Sequence, residues 1–96
     1  MRWRINLIWK IRLDKNATKE LRKLSATLQD DILRYLKERI ATCEDPRRFG
    51  KPLSYDKHGL WRYRVQDARV ICKIYEDELL ILVVKVGYRK DVYKNI

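Results

Sequence analysis

The sequence predicts a two-layer α+β domain: an N-terminal strand, an antiparallel helical hairpin, and a three-stranded antiparallel meander completing one sheet. Three observations predict it. Apolar residues alternate with polar ones near the N-terminus, from Trp3 to Leu13, with one exception. They recur at spacings of three and four between Ala17 and Ile40. Between Leu60 and Val84 they form β-branched runs separated by short polar clusters. A period of two marks strands, and a period near 3.6 marks helices that bury one stripe. Ninety-six residues suffice for a single domain, residues 1–96, around one core.

Each element follows in turn. Trp3, Ile5, Leu7, Trp9, Ile11 and Leu13 oppose Arg2, Arg4, Asn6, Lys10 and Arg12, with Ile8 the one apolar residue on the polar side. That run exceeds the usual five or six strand residues, so its first half is expected to overhang the domain or pair with another chain. Asp14 is placed to cap the next helix, whose stripe is Ala17, Leu21, Leu24 and Leu28. A break at Ser25-Ala26-Thr27 separates it from a second helix. Thr27 is the N-cap candidate there, Asp30 and Asp31 favour the dipole, and Leu28, Ile32, Tyr35, Leu36 and Ile40 form the stripe. So short a break fits an antiparallel hairpin. Asp45-Pro46 ends the second helix, because the residue before proline is steered out of the α region. Residues 44–60 hold both prolines and two of the three glycines and read as a loop. Its Arg47, Arg48, Lys51 and Lys57 either extend a cationic surface or decorate an exposed linker.

The last third reads as a three-stranded meander. Trp61, Tyr63 and Val65 alternate with Arg62, Arg64 and Gln66, which sends aromatics inward and guanidiniums outward. A tight turn at Gln66-Asp67-Ala68 leads into the run Arg69–Tyr75, and Glu76-Asp77-Glu78 closes it. Leu79 to Val84 is apolar on both parities, as in a central strand buried on two faces. Lys85, Gly87, Tyr88, Arg89, Lys90 and Tyr93 follow at its exit, in a short C-terminal tail or helix.

The formal net charge of +10 calls for a polyanionic partner. Nucleic acid ranks first, an acidic protein second, an anionic membrane surface third. No apolar run approaches the ~20 residues of a membrane span. The N-terminus lacks the continuous apolar stretch of a signal peptide. Cys43 and Cys72 stand apart without metal-ligand spacing, and His58 is alone in a glycine-flanked loop. Neither a metal nor a cofactor is expected, and a reducing cytoplasmic setting is.

The DPR after the second helix, then GKPL, WRYRV, D-x-R-V and the terminal VGYRKDVY together resemble the RelE/ParE toxin superfamily, nearest to its RelE branch, over roughly residues 9–93. The resemblance implies the same two-layer fold and a toxin that cleaves messenger RNA in the ribosomal A site, without a metal. It implies ribosome and mRNA as partners, a cognate acidic RelB-like antitoxin, and operator DNA reached only through the antitoxin complex. By register it carries catalytic roles to Arg62, Arg64, Arg69, Arg89 and Tyr93. Arg47, Arg48, Lys51, Tyr88 and Lys90 are expected to bind RNA or the ribosome. Attack of a 2′-hydroxyl on the adjacent phosphate needs in-line orientation, stabilisation of a pentacovalent dianion and two proton transfers. Arginine forks suit the second need. This chain departs from relatives that carry lysine on the first meander strand, since both positions are arginine and arginine is no base at neutral pH. Tyr93 or Tyr88 as phenolate, His58 or a ribosomal RNA group remain as proton acceptors. Two other functions stay open: a ParE-like inhibitor of DNA gyrase without nuclease chemistry, and a catalytically idle basic binding domain.

Overall fold

A computed structural model describes residues 8–42, 44–53, 59–88 and 92. A strand β1 (Lys10–Leu13) leads into helices α1 (Lys15–Arg22) and α2 (Ala26–Tyr35). After them come a π-type turn at Leu36–Ile40, a 3-10 turn at Pro46–Phe49 and a two-residue strand β2 (Lys51–Pro52). The meander β3 (Leu60–Val65), β4 (Ala68–Tyr75) and β5 (Leu80–Tyr88) completes one five-stranded sheet, in the order β1-β5-β4-β3-β2. β1 runs parallel to β5, and every other pairing is antiparallel. The expected α+β architecture is thus present. β5 is an interior strand, but β4 is the middle one. The two-face burial expected of Leu79–Val84 is not met: Ile81, Val83 and Val86 are buried, whereas Leu80, Leu82 and Val84 stay partly exposed because no helix covers that face.

One sheet face carries the helices. Trp61, Tyr63, Val65, Ala68, Val70, Cys72, Ile81, Val83 and Val86 meet Ala17, Leu21, Leu24, Leu28, Ile32, Leu36 and Ile40 in a single core. Burial pushes the Cys72 thiol up and keeps it protonated. Helix starts follow from side-chain chemistry. The Asp14 carboxylate accepts from Ala17 N at 2.8 Å, and the Ser25 hydroxyl accepts from Leu28 N at 3.2 Å. The second helix is therefore capped by Ser25, two residues before the Thr27 expected to cap it. It also ends before Asp45-Pro46: its last turn widens, with Ala41 N donating to Leu36 O at 2.7 Å, and the chain leaves the helix after Ile40.

β5 is longer than its apolar run because of a bulge. Ile71 pairs with Lys85 and Cys72 with Val83, so Val84 is one residue in excess. The bulge moves burial from odd positions (Ile81, Val83) to the even Val86, and Lys85 to Tyr88 stay in the strand. β1 stops at Leu13, opposite Val83, and α1 takes over that edge of β5. Asn16 Nδ2 donates to Val84 O at 3.1 Å, Val86 N donates to Glu20 Oε1 at 2.8 Å, and Lys85 Nζ meets Glu20 Oε2 at 3.0 Å. Side chains here satisfy backbone groups that a neighbouring strand would otherwise take.

Residues 46–53 are not simply a loop. Pro46–Phe49 and β2 lie along the outer edge of β3, with Lys51 opposite Arg62 and Pro52 opposite Trp61. Tyr63, 1% exposed, holds them there: its hydroxyl donates to Pro46 O at 2.8 Å, and its ring meets Tyr35 edge-on with centroids 6.3 Å apart. A Cβ on Gly50 would lie 2.6 Å from Tyr63 Cε1 and 2.8 Å from Arg62 O, so only glycine allows this approach. The first half of the expected N-terminal strand, residues 3–7, and Cys43 and His58 lie outside the described residues.

Two substitutions test this packing. Tyr63→Phe leaves the Pro46 carbonyl unpaired in a buried place and is expected to cost about 1–2 kcal/mol in urea unfolding. Gly50→Ala is expected to cost about 1–3 kcal/mol by overpacking against a ring and a carbonyl.

Candidate functional site

The helix-free face of the sheet carries the cations. On β3, Arg62 and Arg64 are two residues apart and point together away from the core, both exposed. The two-residue turn Gln66-Asp67 sets the next strand in register, with Val65 opposite Ala68 and Arg64 directly opposite Arg69. Gln66 takes the positive φ that such a turn requires, 56°. Directly opposed residues hold their Cβ atoms about 5 Å apart, and like charges so placed repel. Across the other edge Lys51 pairs with Arg62. Lys51, Arg62, Arg64 and Arg69 thus line one cleft of about 540 Å³, with Phe49, Gly50 and Tyr63 completing its wall.

Arg69 is half-buried, its guanidinium donating to Ala68 O at 3.1 Å and, at the long limit of 3.5 Å, to Gln66 O. Carbonyls orient the group without neutralising it. Among the described residues no carboxylate pairs with Lys51, Arg62, Arg64 or Arg69; the ion pairs found there belong to Arg34, Arg47, Arg48 and Lys85. Four cations converging without a counter-charge make a site for an anion with several oxygens.

The remaining expected residues separate. Arg47 bridges Asp45 and Glu76, at 2.6 Å each, and ties the 3-10 turn to the β4–β5 turn. Desolvation lowers its pKa, but the two carboxylates outweigh it and raise the group above its ordinary value. The Arg47 backbone amide and guanidinium in turn hold the Asp45 carboxyl below the usual range. Arg48 pairs with Glu44, and its guanidinium carbon stands 5.2 Å from the Phe49 ring centroid. Tyr88 pairs with Ala68 on the helix-bearing face and lines a different hollow, with Ser25, Thr27, Leu28, Asp31, Gln66 and Asp67. Arg89, Lys90 and Tyr93 lie outside the described residues. Val92 is described: it is buried, and its Cγ2 would lie 3.5 Å from a Cβ built on Gly87, the cross-strand partner of Arg69.

Phe49 went unnoticed in the sequence. It is an exposed aromatic in the cleft wall, and Arg39 stands 5.8 Å from its ring centroid. The only signal was an aromatic inside a basic loop, Arg47-Arg48-Phe49. Among the described residues no group of three or more His, Cys, Asp or Glu is placed to hold a metal, and no helix is long and apolar enough to cross a membrane.

The sheet order and the helices on one face recur in solved toxin structures. The toxin–antitoxin complex RelBE2 from Mycobacterium tuberculosis matches with a TM-score of 0.77 at 21% identity, over 85% of this chain and 92% of the other. The isolated RelE toxin of E. coli matches with a TM-score of 0.68 at 22% identity, over 83% of each chain. The archaeal RelE–RelB complex from Pyrococcus horikoshii matches with a TM-score of 0.61 at 20% identity, over 84% of this chain and 94% of the other. The fold is that of the RelE toxins. The family model for the ParE toxin of the type II toxin–antitoxin system parDE matches residues 11–93, and the chain belongs to that family within the RelE/ParE superfamily. No protein of curated function matches the sequence.

The opposed arginines predict a trade between stability and binding. Replacing Arg64 by Gln is expected to leave unfolding stability unchanged or raise it by up to ~0.5 kcal/mol at low salt, by removing the repulsion. Added salt should shrink any gain, because Arg64 is exposed and Arg69 is half-exposed to the screening ions. Inorganic phosphate should stabilise the wild type more than the variant, read as a melting shift.

Proposed function

We propose that the protein is the toxin of a type II toxin–antitoxin pair and acts as a ribosome-dependent endoribonuclease on messenger RNA. The observation that carries this reading is the cleft in which Lys51, Arg62, Arg64 and Arg69 meet without a carboxylate partner among the described residues. A scissile phosphodiester seated there would face guanidiniums from two adjacent strands. They are suited to the charge that builds as the 2′-hydroxyl adds to phosphorus and the 5′-oxygen departs. Arg89 and Tyr93 enter through the VGYRKDVY motif. In this reading Arg89 stabilises the leaving oxygen and Tyr93 stacks on a splayed base.

The electrostatics also bear on the partner. A chain of net charge +10 attracts an acidic segment that folds on binding, and the similar RelE toxins were solved with RelB antitoxins. We infer an acidic antitoxin for this chain.

The ParE family model favours a second reading, a gyrase inhibitor without nuclease chemistry. The two part at Tyr93 and at the transcripts. Primer extension on RNA from induced cells is expected to show new 5′ ends within translated codons, and their loss when translation is blocked. Arg62→Ala, Arg64→Ala and Arg69→Ala should each lower cleavage by about 10²–10³-fold, the usual size of one lost oxyanion donor. Tyr93→Phe keeps the stacking ring: a shifted alkaline limb of the pH–rate profile would make its phenol the proton acceptor as well, and an unmoved limb would leave that role to another group. Growth arrest that survives Tyr93→Ala, with intact transcripts and inhibited supercoiling, supports the gyrase reading and overturns the nuclease.

A further inference from the structure

Phe49 spends its surface unusually. It is 38% exposed, whereas Tyr63, on which the same turn rests, is 1% exposed. The 3-10 turn that presents it is fixed at both ends: Arg47 is clamped by Asp45 and Glu76, Pro46 O accepts from Tyr63, and Gly50 is wedged on the Tyr63 ring. The ring is therefore held outward by rigid neighbours. Arg39 and Arg48 stand 5.8 and 5.2 Å from its centroid, within the ~6 Å over which a cation and a π face attract. Arg39 comes from the π-type turn after α2 and has no carboxylate partner among the described residues, whereas Arg48 shares its charge with Glu44. The same ring walls the cleft of Lys51, Arg62, Arg64 and Arg69. Arg39 and Arg64 also line a second hollow that continues past the cleft between α2 and β3.

We propose that Phe49 is a stacking platform for an unpaired nucleobase of single-stranded RNA, flanked by Arg39, next to the phosphate held by the arginine cleft. An aromatic face beside cations that track a backbone is the arrangement that binds single strands with little regard to sequence. The net charge favours RNA over an apolar protein partner, for which a single ring among guanidiniums offers too little buried area. The inference rests on the RNA reading of the cleft but not on the cleavage step.

Binding of a fluorescein-labelled hexaribonucleotide, 2′-O-methylated throughout so that it resists cleavage, tests it by anisotropy. An abasic oligomer of the same length and charge is the comparison. Wild type should bind the base-bearing strand more tightly than the abasic one. Phe49→Leu, which keeps an apolar side chain at an exposed position, should weaken the base-bearing strand roughly tenfold, the scale of one lost stack. The abasic affinity should change less than twofold, and Phe49→Trp should retain the preference. Arg64→Gln should weaken both strands alike. If Phe49→Leu binds both as wild type does while Arg64→Gln still weakens them, the platform is refuted and the cleft reading stands. If Arg64→Gln leaves both unchanged, the RNA reading of the cleft fails, and this inference falls with it. Equal loss of both strands in Phe49→Leu, without a melting shift, also overturns stacking.

Discussion

The hydrogen bond from the buried Tyr63 hydroxyl to Pro46 O is the constraint on which the cationic cleft depends. Tyr63 belongs to β3, between Arg62 and Arg64, but it points the other way, into the helix layer. Its reach beyond the core holds the 3-10 turn, and through Gly50 it sets how closely β2 can approach. One side chain thereby couples the core to the far wall of the cleft. Burial pushes the phenol up, so it stays a neutral donor throughout the physiological range and the tether does not respond to pH.

Much of this was legible in the chain. The alternation through Trp61–Val65 placed Arg62 and Arg64 on the outer face, and Leu79–Val84 marked an interior strand, though not the middle one. Asp14 was recognised as a cap because its chemistry is local. What was not legible depends on residues far apart in sequence. The bulge at Val84 is invisible in an apolar run, yet it reverses which positions are buried and carries Tyr88 onto the helix face, away from Arg69. β2 has only two residues and exists because β3 offers it an edge. Thr27 and Ser25 are both good caps on composition, and only the backbone decided between them. Arg47 reads as one more basic loop residue until Glu76, 29 positions away, appears beside it.

The arrangement of charge follows a division between the two faces of the meander. The helix-bearing face is apolar and closed, with no buried polar or charged residue among those described. The opposite face gathers like charges that the fold does not pair and that work against it. Such placement is retained where binding repays it, and it explains why cations recur on adjacent strands as well as on the helix exteriors, where Lys15, Lys19, Arg22 and Arg34 stand.

The substitution of α1 side chains for a missing strand along β5 has a further consequence. Asn16 and Glu20 occupy the backbone groups of Val84 and Val86 that an incoming strand would need. A second copy attempting to continue the sheet from that border must first break a charge-assisted contact and displace a helix. The stretch of β5 beyond β1 is thus closed to an added strand by a carboxylate and an amide, without lengthening β1 by a single residue.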